Sequence, residues 1–330
     1  MIVGSEDSLS LLRCPRTMAP LARVAPDRLT CADGHSYAVV NGKPVLIDFA
    51  DSVLAEEEIA RSSGGSQIAR HDYGGLKRGV KRVLSPTRKE TVQNVRRLIA
   101  DLEATGRPTR LLVVGGGSIG QGMEPLYDHP DIAVLSFDIY DSPHVQFIAD
   151  GHHLPLPDGM FDAVVVQAVL EHVLQPAQVV SEIWRVLKDD GLVYAETPFM
   201  QQVHEGPYDF TRFTESGHRY LFRNFAHVAS GSCGGPGIQF MWSVDHLARG
   251  IFRSNAAGKL AKLAFFWTQY LDRLIPPAYA QDGASGVFFY GRKAPRPMTP
   301  REIIPYYRGA QKPRPARSGA EAVPDASGAH

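Results

Sequence analysis

Cysteine is scarce in this chain. Cys14, Cys31 and Cys233, three in 330 residues, are too few and too scattered for a disulfide framework, which fits a reducing compartment. Net charge is lacking too. Lys+Arg and Asp+Glu balance at 35 each, so no global field draws the chain onto a polyanion, and no nucleic-acid partner is expected. Long apolar runs are missing as well. Met1–Ser10 carries acids and no apolar core, so no signal peptide is read. The most apolar late stretch, Leu260–Ile275, is broken by Lys262, Asp272 and Arg273 and falls short of the roughly 20 apolar residues of a membrane span. Together these absences predict a soluble, cytoplasmic protein whose length suits one α/β domain plus small additions.

What is present centres on Arg110–Gly122. Leu111–Val114 is a short strand apolar on both faces, as in parallel sheets covered by helices on both sides, and it breaks into a turn at Gly115 and Gly117. Ligands sit at the carboxyl ends of such strands, so a nucleotide-like ligand is implied. Ile132–Phe137 reads as the next strand, ending at Asp138, an acid placed to accept ribose hydroxyl hydrogens. Gly115, Gly117 and Gly120 also satisfy the dinucleotide pattern G-x-G-x-x-G, so NAD and S-adenosylmethionine both suit this arrangement.

The stretch that separates them runs Ile148-Ala-Asp150-Gly-His-His-Leu154-Pro-Leu-Pro-Asp158-Gly-Met-Phe161-Asp162, through Gln167 and Glu171-His172, to Arg185-Val-Leu-Lys-Asp-Asp-Gly191. Over about residues 108–197 it resembles the type 11 domain family of class I S-adenosylmethionine-dependent methyltransferases. That resemblance implies an α/β fold, a doubly wound, seven-stranded Rossmann-like sheet, with S-adenosylmethionine as cofactor. It implies a cofactor site of Gly115, Gly117, Asp138, Ile139, Asp150, Gly151 and Gln167, with Asp150 on the adenine amino group. The chain departs from the family at Val113, where an acid is usual, and at Ile119, which replaces the last glycine of the family's G-x-G-x-G. Local signals agree with the layout: Pro176 suits a helix's first turn, Val179, Val180, Ile183 and Leu187 make one apolar face, and Gly191 suits a left-handed stop.

Upstream, residues 1–50 form a small β-rich unit with a hairpin turn at Asn41-Gly42. It resembles the zinc-ribbon-like activators of transfer-RNA and release-factor methyltransferases, which implies a protein partner for it. Each knuckle keeps one cysteine, Thr17 and Gly34 standing in the other places; Cys14, Cys31 and His35 offer at most three ligands, so no metal is expected. Residues 51–85 read as a connector with acids at Glu56–Glu58 and a basic run at Lys77–Arg82, before a capping box at Thr87–Glu90 opens a helix. The methyltransferase domain then covers 86–293.

Downstream of the fifth strand, Pro198-Phe, Val203-His204 and Pro207-Tyr208-Asp209-Phe-x-Arg212 crowd ionisable and aromatic groups onto one loop. The pattern resembles a subgroup of bacterial methyltransferases associated with glycan and cell-envelope genes. The expected catalytic residues are His204 as general base, Asp209 to orient it, Tyr208, and Arg212 as clamp or as Asp209's structural partner; His172 is the competing base. Residues 238–275 read as a helical insertion whose Phe265, Phe266, Trp267 and Tyr270 form a lid over the cleft or, with Lys259 and Lys262, a peripheral membrane contact. Residues 294–330 read as a disordered tail. The resulting expectation is methyl transfer to a small-molecule or glycan-like acceptor, lipid-linked if the insertion makes the membrane contact. A non-catalytic cofactor-binding module and an NAD-dependent oxidoreductase are the alternatives.

Overall fold

A computed structural model describes residues 8–61 and 88–311. At its centre, strand β5 (Thr109–Val114) lies between β6 (Ile132–Asp138) and β8 (Phe161–Gln167), parallel to both. Alternate residues of β5 face opposite cores: Leu112 and Val114 join one cluster, Leu111 and Val113 the other. This is the period-2 pattern of a strand buried on both faces. Helices supply the cover. Helix α2 (Lys89–Glu103) lays Val95, Leu98 and Leu102 on the Leu111 side, and α4 (Pro176–Val186) lays Val179, Val180 and Ile183 on the Leu112 side.

The sheet extends from β7 (Phe147–Ala149) through β6, β5, β8 and β9 (Leu187–Pro198), all parallel, to the antiparallel β11 (Gly286–Lys293) and then β10 (Phe225–Ser232). At the other edge it does not stop at seven strands. The N-terminal strands β1 (Leu21–Ala25), β2 (Arg28–Cys31), β3 (Ser36–Val40) and β4 (Lys43–Leu46) form an antiparallel meander, and β4 pairs in parallel with β7, giving eleven strands among the described residues. The separate small domain expected for residues 1–50 is therefore corrected: Leu12, Cys14, Leu29, Tyr37 and Leu46 belong to the same hydrophobic cluster as Leu112 and Val114. The Cys14 thiol lies 3.0 Å from the Tyr37 hydroxyl within this cluster. Asn41 and Gly42, at φ +50° and +78°, make the expected two-residue turn between β3 and β4.

Other boundaries moved for local reasons. Helix α2 is capped by Arg88 without a side-chain bond; Thr87 and the basic run Lys77–Arg82 lie outside the described residues. Helix α4 ends at Val186, and the left-handed residue after it is Asp190 (φ +62°) rather than Gly191. The connector's first part is folded: a 3-10 turn at Phe49–Asp51 leads to α1 (Glu56–Arg61). Helix α3 (Glu124–Asp128) follows the glycine turn, and α5 (Glu215–Leu221) precedes β10.

The insertion lies between β10 and β11 and runs further than expected: α6 (Pro236–Phe252), α7 (Asn255–Ala264), a 3-10 stretch Phe266–Arg273 and α8 (Pro277–Asp282). Asp272 fixes its packing, its carboxylate accepting the Gly235, Gly237 and Ile238 amides at the start of α6 at 3.1, 2.6 and 3.2 Å. The tail is also corrected over residues 294–311. Helix α9 (Ile303–Tyr306) places Tyr306 against His227, its hydroxyl donating to Glu215, and the Tyr307 hydroxyl donates to Asp282 at 2.7 Å. Two tyrosines suffice to dock a segment whose overall composition is polar.

Candidate functional site

At the carboxyl ends of β5, β6, β7 and β8 the chain leaves a cavity of about 480 Å³, within the range that holds cofactor-sized ligands. Gly115 makes the turn out of β5 at φ +75°, and a Cβ there would stand 2.2 Å from Val169 Cγ2. The Gly117 amide donates to Asp138 Oδ2 at 2.8 Å, while the Ile139 amide donates to Asp138 Oδ1 at 2.7 Å. A Cβ on Gly117 would lie 2.2 Å from the Tyr140 hydroxyl, so the turn is closed over by that ring. Ile139 presents an apolar side chain, 39% exposed, to the cavity.

A second acid stands at the end of β7. Asp150 accepts the His152 amide at 3.0 Å, the His152 Nδ1 at 2.5 Å and the Ser52 hydroxyl at 2.6 Å. Because His152 Nε2 accepts the Gln175 amide at 3.1 Å, its proton sits on Nδ1, facing the carboxylate. Burial pushes the Asp150 carboxyl up, but the His152 and Ser52 bonds outweigh it and hold the group below its ordinary range. Ser52 comes from the N-terminal segment, which also covers this end of the cavity with Val53, Leu54 and Ile59. At the end of β8, Gln167 donates to Glu196 Oε2 at 2.8 Å, and Glu196 Oε1 accepts from Thr91 at 2.6 Å and from the Tyr194 hydroxyl.

The same cavity continues to a polar cluster. Glu171, on a 3-10 turn at Leu170–His172, is 1% exposed, and neither of its carboxylate oxygens has a hydrogen-bond partner. Burial pushes its pKa up to about 8. His172 donates from Nδ1 to the Tyr208 carbonyl at 2.8 Å, and burial lowers its pKa against that bond. His204 lies edge-to-face on His172, ring centroids 4.9 Å apart.

The loop that carries His204 is held by Asp209 and Arg212. Asp209 accepts the His204 amide at 2.9 Å and pairs with Arg212 through both oxygens. Burial raises the Asp209 pKa, but Arg212 and the amide drive it well below the carboxylate range. Arg212 spends its remaining N–H groups on the Gln201, Gln202 and Thr211 carbonyls. Its whole donor fork is committed to the loop, so the substrate-clamp reading of Arg212 gives way to its loop-holding alternative.

Of the residues named from sequence, Gly115, Asp138, Ile139, Asp150, Gly151, Gln167, His204 and Tyr208 line the cavity; Gly117, Asp209 and Arg212 do not, but bond to Asp138, His204 and Gln201, which do. The lid expectation is corrected: the cavity lining among the described residues includes none from α6 to α8, and the cover comes from Val53, Leu54, Ile59 and the His204 loop. Sequence reading missed Glu171 as more than a helix-start neighbour of His172, and it missed Ser52, Tyr140 and Glu196.

Residues 116–195 match the family described as a methyltransferase domain. Over that stretch the chain is similar to a methyltransferase domain. A demethylmenaquinone methyltransferase of Renibacterium salmoninarum is 33% identical over 151 residues, 43% of this chain and 60% of that one. A malonyl-[acyl-carrier protein] O-methyltransferase of Geobacter sulfurreducens is 31% identical over 110 residues, 29% of this chain and 41% of that one. The chain thus spans three-fifths or less of these curated relatives. Among solved structures, a Haemonchus contortus phosphoethanolamine N-methyltransferase 2 in complex with S-adenosyl-L-methionine aligns at a TM-score of 0.38 and 14% identity, over 60% of this chain and 52% of that one.

The methyltransferase domain's own residues fit that cofactor. Its glycine turn leaves no room for a Cβ at Gly115 or Gly117. Acids close two successive strand ends, and an exposed Ile139 lies beside the first of them.

Proposed function

We propose that this protein transfers the methyl group of S-adenosylmethionine to an oxygen of a small-molecule or glycan-like acceptor bound over Glu171, His172 and His204. The observation that carries the reading is the continuity of one cavity, lined at one end by Gly115, Asp138 and Asp150 and at the other by Glu171, His172, His204 and Tyr208. S-adenosylmethionine, when bound, supplies an activated methyl group. Asp138, Ile139 and Asp150 hold the cofactor, and the polar cluster draws off the proton of the acceptor hydroxyl. Most of the rate gain in such a displacement comes from aligning the two reactants and excluding water. In this reading residues 8–61 act in cis, since Ser52 reaches Asp150.

The acceptor is membrane-associated in this reading, with the insertion resting on an anionic lipid surface. Phe240, Val244, Leu247 and Ile251 recur at helical spacing on α6; of these Leu247 and Ile251 are 63% and 65% exposed, and Leu260 on α7 is 68% exposed. The exposed charges of residues 236–282 are Arg253, Lys259 and Arg273, all basic, while Asp245 pairs with Arg249 and Asp272 caps α6. An apolar face rimmed by cations suits the surface of an anionic bilayer. Among the described residues no helix is long and apolar enough to cross a membrane.

The test is turnover of labelled S-adenosylmethionine with cell-envelope extracts, run beside calorimetry with S-adenosylhomocysteine. His204→Ala is expected to leave the calorimetric affinity unchanged and to lower turnover by roughly 10²-fold or more. Binding without turnover in the wild type would instead make the chain a cofactor-binding module.

A further inference from the structure

Glu171, His172 and His204 bring one ligand atom each to within 4.8 Å of one another. Glu171 Oε1 is 3.5 Å from His172 Nε2 and 3.8 Å from His204 Nε2. The histidine protons point elsewhere. His172 Nδ1 faces the Tyr208 carbonyl at 2.8 Å, an acceptor only, so the ring carries its proton there and leaves a lone pair on Nε2. His204 Nδ1 likewise faces acceptors, the Gln202 carbonyl at 3.3 Å and Asp209 Oδ2 at 3.4 Å. Its Nε2 lone pair also turns toward Glu171.

Two imidazole lone pairs and the Glu171 carboxyl group thus converge on one point, with no donor from another residue between them. That carboxyl group is 1% exposed and has no hydrogen-bond partner on either oxygen. A buried carboxylate left this way is strongly disfavoured unless a cation or proton compensates it. Ligand atoms around a small divalent cation, at about 2.1 Å each, stand about 3.0 to 3.5 Å apart; the two Glu171 contacts, at 3.5 and 3.8 Å, are close to that spacing, and the two imidazole nitrogens, within 4.8 Å of each other, would draw together to seat one. Each imidazole is held by an outer partner on its other nitrogen, the arrangement that orients metal-binding histidines.

We propose that Glu171, His172 and His204 form a site for a divalent first-row transition cation at the acceptor end of the cavity. Two imidazoles and one carboxylate are a borderline donor set, suited to zinc, iron(II) or cobalt(II) over calcium or magnesium. Three protein ligands would leave coordination positions open on the cavity side, where an acceptor hydroxyl would become more acidic and lose its proton to solvent, so that with a cation bound the cluster acts through the metal rather than as the base itself. This deepens the function proposed above, and rests on it for the acceptor alone. It departs from the expectation of no metal, which rested on the incomplete ligand set Cys14, Cys31 and His35 and on a methyl displacement that can proceed without one.

The experiment titrates the full chain, first stripped with a chelator, with zinc by calorimetry and with cobalt by absorption spectroscopy. One equivalent per chain is expected. Glu171→Gln, which keeps the side chain's shape, and His172→Asn should each weaken binding by tenfold or more, whereas Cys14→Ser and Cys31→Ser should leave it unchanged. S-adenosylhomocysteine affinity and thermal melting of each variant report whether it is folded. No stoichiometric binding, or binding lost in the cysteine variants and kept in Glu171→Gln, overturns the site. Metal binding without methyl transfer would leave the site standing and remove the proposed function; methyl transfer by a chain that binds no cation would do the reverse.

Discussion

Replacing Asp138 with asparagine should harm cofactor binding at least as much as replacing it with alanine. The reason is that the two carboxylate oxygens already accept two different backbone amides, Gly117 at 2.8 Å and Ile139 at 2.7 Å. An asparagine has one oxygen. Whichever way its amide is turned, an NH₂ group faces one of these N–H groups, donor against donor, and the glycine turn must open to relieve it. Alanine removes the acceptor but leaves space in a half-exposed position where water can satisfy both amides. A charged hydrogen bond to the ligand is worth about 1.5 to 3 kcal/mol, so Asp138→Ala should weaken S-adenosylhomocysteine binding by roughly one to two powers of ten. Asp138→Asn should lose that and up to about 1 to 3 kcal/mol more for the misfaced donor. It should also melt at a lower temperature than Asp138→Ala. Calorimetry with S-adenosylhomocysteine decides it: an asparagine variant within about threefold of wild type, under 1 kcal/mol, would show that Asp138 does not organise the turn in the way described.

Two further predictions follow from other parts of the molecule. Asp162 accepts Arg107 at 2.5 Å, Lys188 at 2.9 Å and the Arg110 amide at 2.9 Å, and these bonds hold its pKa below the ordinary value although burial, the largest single effect, pushes the other way. Its stabilisation is therefore present above the unfolded-state pKa of about 4 and is lost as pH falls through the folded-state value; Asp162→Asn should cost about 1 to 3 kcal/mol in urea melts at neutral pH, and the gap to wild type should close in acid. The chain should co-sediment with vesicles of anionic phospholipid and much less with neutral ones, and Leu247→Glu with Ile251→Glu should lower the bound fraction more than tenfold, since each buried side chain contributes about 1.5 to 3 kcal/mol; equal binding to neutral vesicles, or no effect of the pair, would count against the lipid contact.

The features legible in the sequence were those that a few neighbouring residues decide. Leu111–Val114 had to be a strand buried on both faces, Gly115 had to turn, and Asp138 had to end the next strand, because apolar alternation and left-handed geometry are properties of short windows. The hairpin at Asn41-Gly42 and the helix opened by Pro176 are of the same kind. What stayed hidden depended on partners far along the chain. The pairing of Val45 with Ile148 and Leu46 with Ala149 joins two short apolar edges about which neither window says anything. An amphipathic pattern in α6 announces an apolar face but not what that face meets, so it suits a lid as well as a membrane contact, while Val53, Leu54 and Ile59, which cover the cavity, lie in a stretch that reads as a connector.

The polar loop shows the same limit from the other side. The structure holds its residues close together on one loop, yet their division of labour follows from distances that composition does not carry. Arg212 and Asp209 have the chemistry of a substrate clamp and a base's partner, but the five donors of the first are used up inside the loop and the second holds the His204 amide in place. Glu171 reads as an ordinary helix-start acid beside His172 until that loop folds across it. The backbone amides of Phe210 and Thr211 bond to the Glu171 carbonyl at 2.8 and 3.3 Å, which seals the side chain from solvent while giving its carboxylate no donor. The residue that sequence reading passed over is thus buried by the loop that sequence reading singled out, and the unmet demand of its two oxygens points to a cation that neither stretch would suggest alone.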